Sequence, residues 1–597
     1  MKNAMHFIRK VNIYLVFIIL IIFGIFQYGI NKICGFTLVP DEFGYWASAA
    51  GKVGYNWSPI ASLGSYYSFG YSFVLIPILK LFQNGVTAYR AAVGINMLLM
   101  CGSVFLMQGI LKRMLPETDG IRRVFICGIA VLYPSWIFYM QMTMAEALLM
   151  FLFVLITYLL LYLMENAKVL TAVCLAASLI YLYCVHMRTV GVLIACVIML
   201  VFWMAMERPE MKVVLAFWGT LLLFLLLAVA LKQSTIEQVF SGADAQVLAG
   251  NDYGSQWGKF KQIFTARGMI QLVKEAGAKL FYLGLASFGI FYWGIVWAVK
   301  ELVSLVRKFR AREKRKAAEW IALFLILSAA GEILISSIYM YQGKLIDTLI
   351  YGRYDEFIVP VFLLAGIAAM SRSRWIFPGT LLMGTGTGLF IPVILNYIEA
   401  KNMDGIRGYM VAGISYLLKE ENLNVYLFFR DTWMLGFGVM LITAFLVWVA
   451  RKSSSASWLL SGIIALEIAA GLQISHHYTY RVNNSNFMDL YIAEEIRDKI
   501  GPEDRVAYLD EGKPEYIDFI QMQLRDKTIE VIQKETMPVG NDCLSGEDSD
   551  RKGLFLITHI DTQYKNELDK MFDTSIRSNT FYLYYNKEEY RKGMTSG

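Results

Sequence analysis

Two adjacent carboxylic acids, Asp41 and Glu42, follow the first long apolar segment by about ten residues. Charged side chains beside a membrane are energetically costly, so a pair of them at the end of an apolar segment indicates a functional site by default. A carboxylate can take the proton from a hydroxyl group as that hydroxyl attacks an electrophile. The sequence predicts that Asp41 and Glu42 are catalytic. Alternatively, they lie in a solvated loop, or Asp41 caps a helix over 43–52.

A second pair of ionisable residues, Glu146 and Arg188, lies at the ends of two separate apolar segments. An ionisable group in such a position normally faces a cavity or a partner of opposite charge. We expect the two side chains to pair, either as a structural link between helices or as groups that position a substrate. The nearby His186 is interpreted as a hydrogen-bonded packing residue.

A third cluster of charged residues, YGRYDE at 351–356, begins another apolar segment. Arginine binds phosphate through parallel charge-assisted hydrogen bonds, and such binding stabilises charge that develops on a phosphate leaving group. Arg353 is therefore the predicted phosphate-binding residue, with Lys344 and Arg267 as second choices. The alternative is that Arg353 extends to the membrane surface within an aromatic belt.

The pattern does not require a cofactor. Two neighbouring acids could recruit Mg²⁺ or Mn²⁺, so the metal remains unknown at this stage. The sequence contains no phosphate-binding P-loop, which argues against an ATP-driven pump.

The elements that must position these residues are apolar. The chain has 597 residues, of which 57% are hydrophobic and only 17% are charged. A helix of about 20 apolar residues crosses a bilayer. We therefore predict an α-helical polytopic membrane protein with about thirteen transmembrane helices, near residues 12–31, 88–111, 124–141, 144–163, 170–187, 190–206, 213–231, 280–299, 319–340, 356–370, 376–396, 432–450 and 457–474.

If the predicted segments cross the membrane in turn, the basic connections at 112–113, 122–123, 208–212, 372–374 and 451–452 all lie on one side, together with the densest run, RKFRAREKRK at 307–316. The positive-inside rule then predicts a cytoplasmic N-terminus in the plasma membrane, with outer loops over 32–87, 232–279 and 397–431. This location explains the net charge of +7 better than nucleic-acid binding does. The short apolar stretch at 68–82 is expected to be an interfacial helix.

The composition changes beyond residue 475. Short apolar strands near 506–510, 528–533, 553–560 and 580–585 alternate with amphipathic helices. This pattern predicts a small α/β domain over 475–597, on the extracytoplasmic side, after a transmembrane domain over 1–474.

Taken together, the stretches PDEFGYW (40–46), AYRAAVGIN (88–96), MTMAEALLMF (142–151), HMRTVGVL (186–193) and YGRYDEFIVP (351–360), with the predicted architecture, resemble the GT-C class of membrane glycosyltransferases. That class includes the protein O-mannosyltransferases and the lipid A aminoarabinose transferases. The resemblance implies a hexosyl- or pentosyltransferase whose donor is a polyprenyl-phosphate sugar. A hydroxyl group of a cell-envelope acceptor would attack this sugar on the outer face, with inversion. It implies Asp41 as the base.

The remaining members of the predicted site are Glu42, Glu146, Arg188, Tyr45 and Tyr354, which would position the sugar or the acceptor. Two other classes of function stay open at this point. A transporter or flippase of lipid-linked saccharides would place its charges across the middle of the membrane. A non-catalytic assembly protein would not depend on Asp41.

Overall fold

The computed structural model describes residues 2–586, apart from residues 65, 67, 244–257, 259–260, 262, 342, 419–421, 513–516 and 534–552. Within these residues, ten helical segments are long and apolar enough to cross a bilayer, and two bent pairs of helices bring the number to twelve. The prediction of a multi-pass helical membrane protein is confirmed.

Eleven helices lie before residue 244 in the described part of the chain. They are α1 (Lys2–Ile30), α2 (Asp41–Val53), α3 (Ser58–Ala61), α4 (Ser72–Leu81), α5 (Gly85–Met114), α6 (Gly120–Val131), α7 (Pro134–Met140), α8 (Glu146–Asn166), α9 (Val169–Val185), α10 (Val190–Glu207) and α11 (Met211–Val239).

Nine further helices follow up to residue 475. They are α12 (Ala266–Ala286), α13 (Ile290–Ala311), α14 (Ala317–Met340), α15 (Gly352–Asp355), α16 (Val359–Arg372), α17 (Ile376–Leu389), α18 (Ile391–Lys401), α19 (Val425–Ala450) and α20 (Ser461–Ser475). Short 3₁₀ helices cover Met187–Thr189, Ile346–Thr348, Glu356–Ile358, Gly408–Leu417 and Ser455–Leu460.

Each of the thirteen predicted segments coincides with a helix or with consecutive helices. A single straight span over 280–299 is wrong, however, because α12 and α13 meet at an angle of 114°. Phe288 and Gly289 both have positive φ angles, 53° and 78°, at this junction. Left-handed backbone ends a helix, and glycine adopts it without steric cost. Helix α12 also occupies the end of the predicted loop 232–279.

The described residues form two compact units. The first comprises the described residues within 1–28, 95–229 and 253–476. Its buried segment between α14 and α16 is broken into the short helices Ile346–Thr348, α15 and Glu356–Ile358. Irregular backbone at membrane depth is tolerated where it is surrounded by protein. The break therefore presents the YGRYDE cluster inside this unit.

The second unit comprises the described residues within 29–94, 230–252 and 477–597. It contains the short apolar helix α4, and its C-terminal part has helices α21 (Arg481–Asn486), α22 (Leu490–Lys499), α23 (Ile517–Gln523) and α24 (Lys565–Met571). The strands are β1 (Arg505–Asp510), β2 (Ile529–Gln533), β3 (Leu554–His559), β4 (Thr574–Arg577) and β5 (Phe581–Tyr585).

These five strands form one sheet in the order β2-β1-β3-β5-β4. Strand β1 is parallel to β2 and β3, whereas β5 is antiparallel to β3 and β4. Alternate residues of the strands, such as Ala507, Leu509 and Leu556, pack with Leu568 of α24 in an apolar core. The predicted α/β fold of this segment is thus observed, with strand β4 as an addition.

Candidate active site

A buried ion cluster in the first unit joins Glu146, Arg188 and Arg353. The Nε atom of Arg353 lies 2.7 Å from Oε1 of Glu146, and Nη2 of Arg188 lies 3.0 Å from the same oxygen. Glu146 is the first residue of α8, Arg188 lies in the turn between α9 and α10, and Arg353 lies in α15. Breaks in three helical segments thus bring the three side chains together, and none is more than 3% exposed.

Aromatic side chains pack around the guanidinium group of Arg188. The Cζ atom of Arg188 lies 4.6 Å from the centre of the Tyr354 ring, a cation–π geometry. His186 accepts a hydrogen bond from the backbone N–H of Arg188 through Nδ1 at 3.3 Å, and its ring contacts Tyr354. The expected pairing of Glu146 with Arg188 and the packing role of His186 are both observed.

Glu356, at the end of the same cluster, is surrounded by hydroxyl groups. Its Oε1 atom accepts hydrogen bonds from Ser135 at 2.5 Å, from Tyr133 at 3.3 Å and from Tyr282. Hydroxyl donors of this kind compensate for burial of a carboxylate. These hydrogen bonds hold the start of α16 against α7 and α12.

Several further buried ionisable residues were not assigned a role from the sequence, among them Lys279, Glu332 and Asp355. Glu332 accepts a hydrogen bond from the backbone N–H of Val192 at 3.1 Å, and Lys279 approaches the carbonyl oxygen of Leu349 at 3.4 Å. Glu332 could have been recognised from the sequence, because it is an acidic residue in the interior of an apolar segment.

The two second choices for phosphate binding lie elsewhere on this unit. Both Lys344 and Arg267 are exposed, and Nζ of Lys344 approaches the carbonyl oxygen of Lys401 at 3.5 Å. Arg353, in contrast, is buried within the ion cluster. Of the three cations, only Arg353 shares a carboxylate with Arg188 in the described part of the chain.

Asp41 and Glu42 begin helix α2 in the second unit. The N-cap residue is Pro40, and Asp41 is the first helical residue. The alternative in which Asp41 caps a helix over 43–52 is therefore wrong, because the helix already begins at Asp41. Asp41 is 5% exposed, and the positive end of the helix dipole favours its negative charge.

Glu42 is completely buried and accepts several hydrogen bonds. Its Oε1 atom accepts from the backbone N–H of Thr37 at 2.9 Å and from the Thr37 hydroxyl at 2.5 Å. Its Oε2 atom accepts from the hydroxyl of Tyr89 at 2.5 Å. Glu42 therefore ties the start of α2 to the preceding loop and to α5.

Aromatic rings pack on both sides of α2. Phe43 stacks on Trp57 with 5.6 Å between ring centres, and Trp46 stacks on Tyr89 at 6.3 Å. Tyr45 is fully buried and contacts Tyr71 edge to face. The helix that carries Asp41 is thus rigidly held within the second unit.

In the described residues, no three His, Cys, Asp or Glu side chains are grouped closely enough to hold a metal ion. The two adjacent acids at 41–42 remain the only basis for the predicted divalent cation.

The fold of the chain is similar to that of a solved membrane protein. It matches ArnT from Cupriavidus metallidurans bound to undecaprenyl phosphate, with a TM-score of 0.52 and 14% identity, over 96% of this chain and 97% of ArnT. The chain has the fold of a GT-C glycosyltransferase. The predicted fold class is therefore confirmed over nearly the full length.

Two further structures are similar at lower scores. ArnT from the same organism in the apo state has 15% identity and a TM-score of 0.47, over 96% of this chain and 97% of that protein. The oligosaccharyltransferase of Archaeoglobus fulgidus in the apo form has 11% identity and a TM-score of 0.44, over 94% of this chain and 70% of that protein. No protein-family model and no curated protein sequence matches the chain.

Proposed function

We propose that this protein transfers a sugar from a polyprenyl-phosphate donor to a hydroxyl group of a cell-envelope acceptor. The observation that carries the proposal is the buried cluster in which Arg188 and Arg353 share Oε1 of Glu146. The fold around this cluster is similar to that of ArnT in its structure with bound undecaprenyl phosphate. The donor sugar is a hexose or a pentose.

Arg353 binds the donor phosphate in this proposal. The guanidinium groups of Arg188 and Arg353 are both buried beside one carboxylate, and guanidinium groups bind phosphate through charge-assisted hydrogen bonds. A phosphate oxygen is the same kind of acceptor as the carboxylate oxygen that Arg353 already contacts. Lys344 and Arg267, being exposed, would contact the phosphate only at the membrane surface.

Asp41 is the proposed base. The acceptor oxygen attacks the anomeric carbon while its proton passes to the carboxylate of Asp41. The bond between the anomeric carbon and the phosphate oxygen breaks, and polyprenyl phosphate leaves with the electron pair. Direct attack inverts the anomeric configuration.

The other predicted site residues position these groups. Glu42 holds the start of α2 through Thr37 and Tyr89, and Tyr45, on the same helix, packs against Tyr71. Glu146 orients both arginines, and Tyr354 covers the guanidinium group of Arg188. A divalent cation, Mg²⁺ or Mn²⁺, would be an addition to this arrangement and not a requirement of it.

The proposed location is the outer face of the plasma membrane. Support comes from the distribution of Lys and Arg, which the positive-inside rule interprets as a cytoplasmic N-terminus and an extracytoplasmic segment 475–597. The bilayer would then hold the lipid tail of the donor.

The experiment is a transfer assay with purified protein and labelled polyprenyl-phosphate hexoses and pentoses. Asp41→Asn should lower turnover at least about 100-fold, the scale of general base catalysis, while thermal stability stays close to that of the wild type. Asp404→Asn is the matched control, because Asp404 is exposed. Undiminished turnover in Asp41→Asn would exclude Asp41 as the base.

A further inference from the structure

Arg525 is a buried cation in the second unit that the proposed reaction does not use. It follows helix α23 and is 5% exposed. Its Nη2 atom donates to the carbonyl oxygen of Leu79 at 2.6 Å and to the hydroxyl of Tyr55 at 2.6 Å. Its Nη1 atom donates to the carbonyl oxygen of Phe82. One side chain from the C-terminal segment thus binds the end of α4 and the loop after α2.

The backbone of Arg525 makes a second connection to the same loop. Its carbonyl oxygen accepts a hydrogen bond from the indole N–H of Trp57 at 2.7 Å. Trp57 is 1% exposed, and its ring lies nearly parallel to that of Phe43, with an interplanar angle of 5°. Phe43 belongs to the first turn of α2, which also contains Asp41.

A separate set of bonds joins α21 to the loop before α2. The Oδ1 atom of Asn483 accepts from the backbone N–H groups of Cys34 and Gly35 at 2.8 and 2.9 Å. Nδ2 of Asn486 donates to the carbonyl oxygen of Phe36 at 3.1 Å. The C-terminal segment therefore binds the chain on both sides of the acidic pair, before residue 41 and after residue 53.

We propose that Arg525 is a positioning residue that holds α2, and with it the carboxylate of Asp41, in the orientation required for proton transfer. The inference rests on the proposed function of Asp41. It gives the α/β segment 475–597 a role in the reaction, although no residue of that segment contacts the reacting atoms in this account.

The chemistry of the contacts requires arginine. The three acceptors of the guanidinium group are two carbonyl oxygens and a hydroxyl oxygen, on Leu79, Phe82 and Tyr55. A planar fork with five N–H donors can reach all three at once, whereas the ammonium group of lysine is a single point. The guanidinium group also lies 5.1 Å from the centre of the Tyr55 ring.

The test compares Arg525→Met with Arg505→Met in the full-length protein. Arg505 is the matched control, because it lies in β1 of the same unit, with a side chain 60% exposed and paired with Glu530. Hydrogen–deuterium exchange is measured on peptides that cover residues 41–61 and 505–510. Arg525→Met should increase exchange in 41–61 at least about tenfold and leave 505–510 unchanged, whereas Arg505→Met should leave 41–61 unchanged.

Kinetics provide the second measurement. For Arg525→Met, kcat should fall at least about tenfold, while KM for the donor lipid stays within about threefold, because the guanidinium group of Arg525 binds Leu79, Phe82 and Tyr55 near α2, and α2 carries the proposed base and not the proposed phosphate-binding residue. A purely structural role would instead lower the amount of active protein and leave the pH profile of kcat unchanged. Misplacement of Asp41 should alter the acidic limb of that profile.

A milder variant, Tyr55→Phe, covers the case in which Arg525→Met does not fold. It removes one acceptor of the guanidinium group and should produce a smaller increase in exchange over 41–61. Unchanged exchange in both Arg525→Met and Tyr55→Phe would overturn the proposal. Exchange does not depend on transfer, so increased exchange in a protein with no transferase activity would contradict the proposed function alone.

Discussion

The Nε atom of Arg353 lies 2.7 Å from Oε1 of Glu146, although 207 residues separate the two in the chain. Arg188 donates to the same oxygen from a third segment. Burial of charged groups is unfavourable unless they are paired and hydrogen-bonded. This pairing therefore determines how three broken helical segments fit together within the first unit.

Replacement of Glu146 by glutamine should strongly destabilise the protein. The change leaves two buried guanidinium groups close together without the carboxylate that they share, and loss of one partner from a buried ion pair costs about 3–5 kcal/mol. Thermal unfolding in detergent measures the effect. Glu165→Gln is the control on the same helix, because the side chain of Glu165 is 39% exposed beside Arg113, and it should cost no more than about 1 kcal/mol.

Removal of the Tyr89 hydroxyl should weaken the attachment of α2. The hydroxyl donates to Oε2 of the buried Glu42 at 2.5 Å, and a hydrogen bond to a charged group contributes about 1.5–3 kcal/mol. Tyr89→Phe should lower stability by that amount in a urea titration. Tyr491→Phe, at a residue 53% exposed, should have almost no effect. Equal stabilities of the two variants would contradict the role given to Glu42.

The broken segment between α14 and α16 should not tolerate a side chain at Gly352. A Cβ atom there would lie 1.9 Å from the ring of Tyr282, whose hydroxyl donates to Glu356. Such overpacking typically costs about 1–3 kcal/mol. Gly352→Ala should therefore lower the melting temperature, whereas Gly386→Ala, with no atom within 4 Å of the new Cβ, should leave it unchanged or raise it.

The second unit should lose stability as the pH rises. Burial raises the pKa of Asp518 to about 7, and the negative charge of Glu42 adds to the increase. An unfolded aspartate has a pKa of about 3.9, so between these values the folded protein holds a proton that the unfolded chain releases. The stabilisation by protonated Asp518 is thus complete below about pH 4 and is lost as the pH rises to about 7.

Urea unfolding followed between pH 5 and pH 8 tests this dependence. The midpoint for the wild type should decrease with increasing pH, and Asp518→Asn should flatten the curve and increase the midpoint at pH 8. An equally steep decrease in the variant would show that another group is responsible.

The sequence predicted the helices and strands because their hydrophobic patterns are long or strongly alternating. It did not predict the bend at Phe288 and Gly289, because both neighbouring helices are apolar and hydropathy does not depend on the backbone angles between them. It also missed strand β4, whose alternate residues are exposed and which forms at the sheet edge next to β5.

For the site, the sequence indicated the pairing of Glu146 with Arg188, because the two ends of adjacent apolar segments must lie near each other. It could not indicate that Arg353 joins them, since that depends on the packing of segments far apart in the chain. Nor could it show that Glu42 is held by Thr37 and Tyr89. Asp41 and Glu42 carry the same functional group, so the sequence does not distinguish their roles, whereas their contacts in the structure do.

In the proposed reaction, Arg353 binds the lipid phosphate and Asp41 acts in the chemical step. The most direct test measures the affinity of polyprenyl phosphate, without a sugar, for the wild type, Arg353→Met and Asp41→Asn. Arg353→Met should weaken binding at least about tenfold, because a charge-assisted hydrogen bond contributes about 1.5–3 kcal/mol, and Asp41→Asn should bind as the wild type does. Wild-type affinity in Arg353→Met would contradict the account.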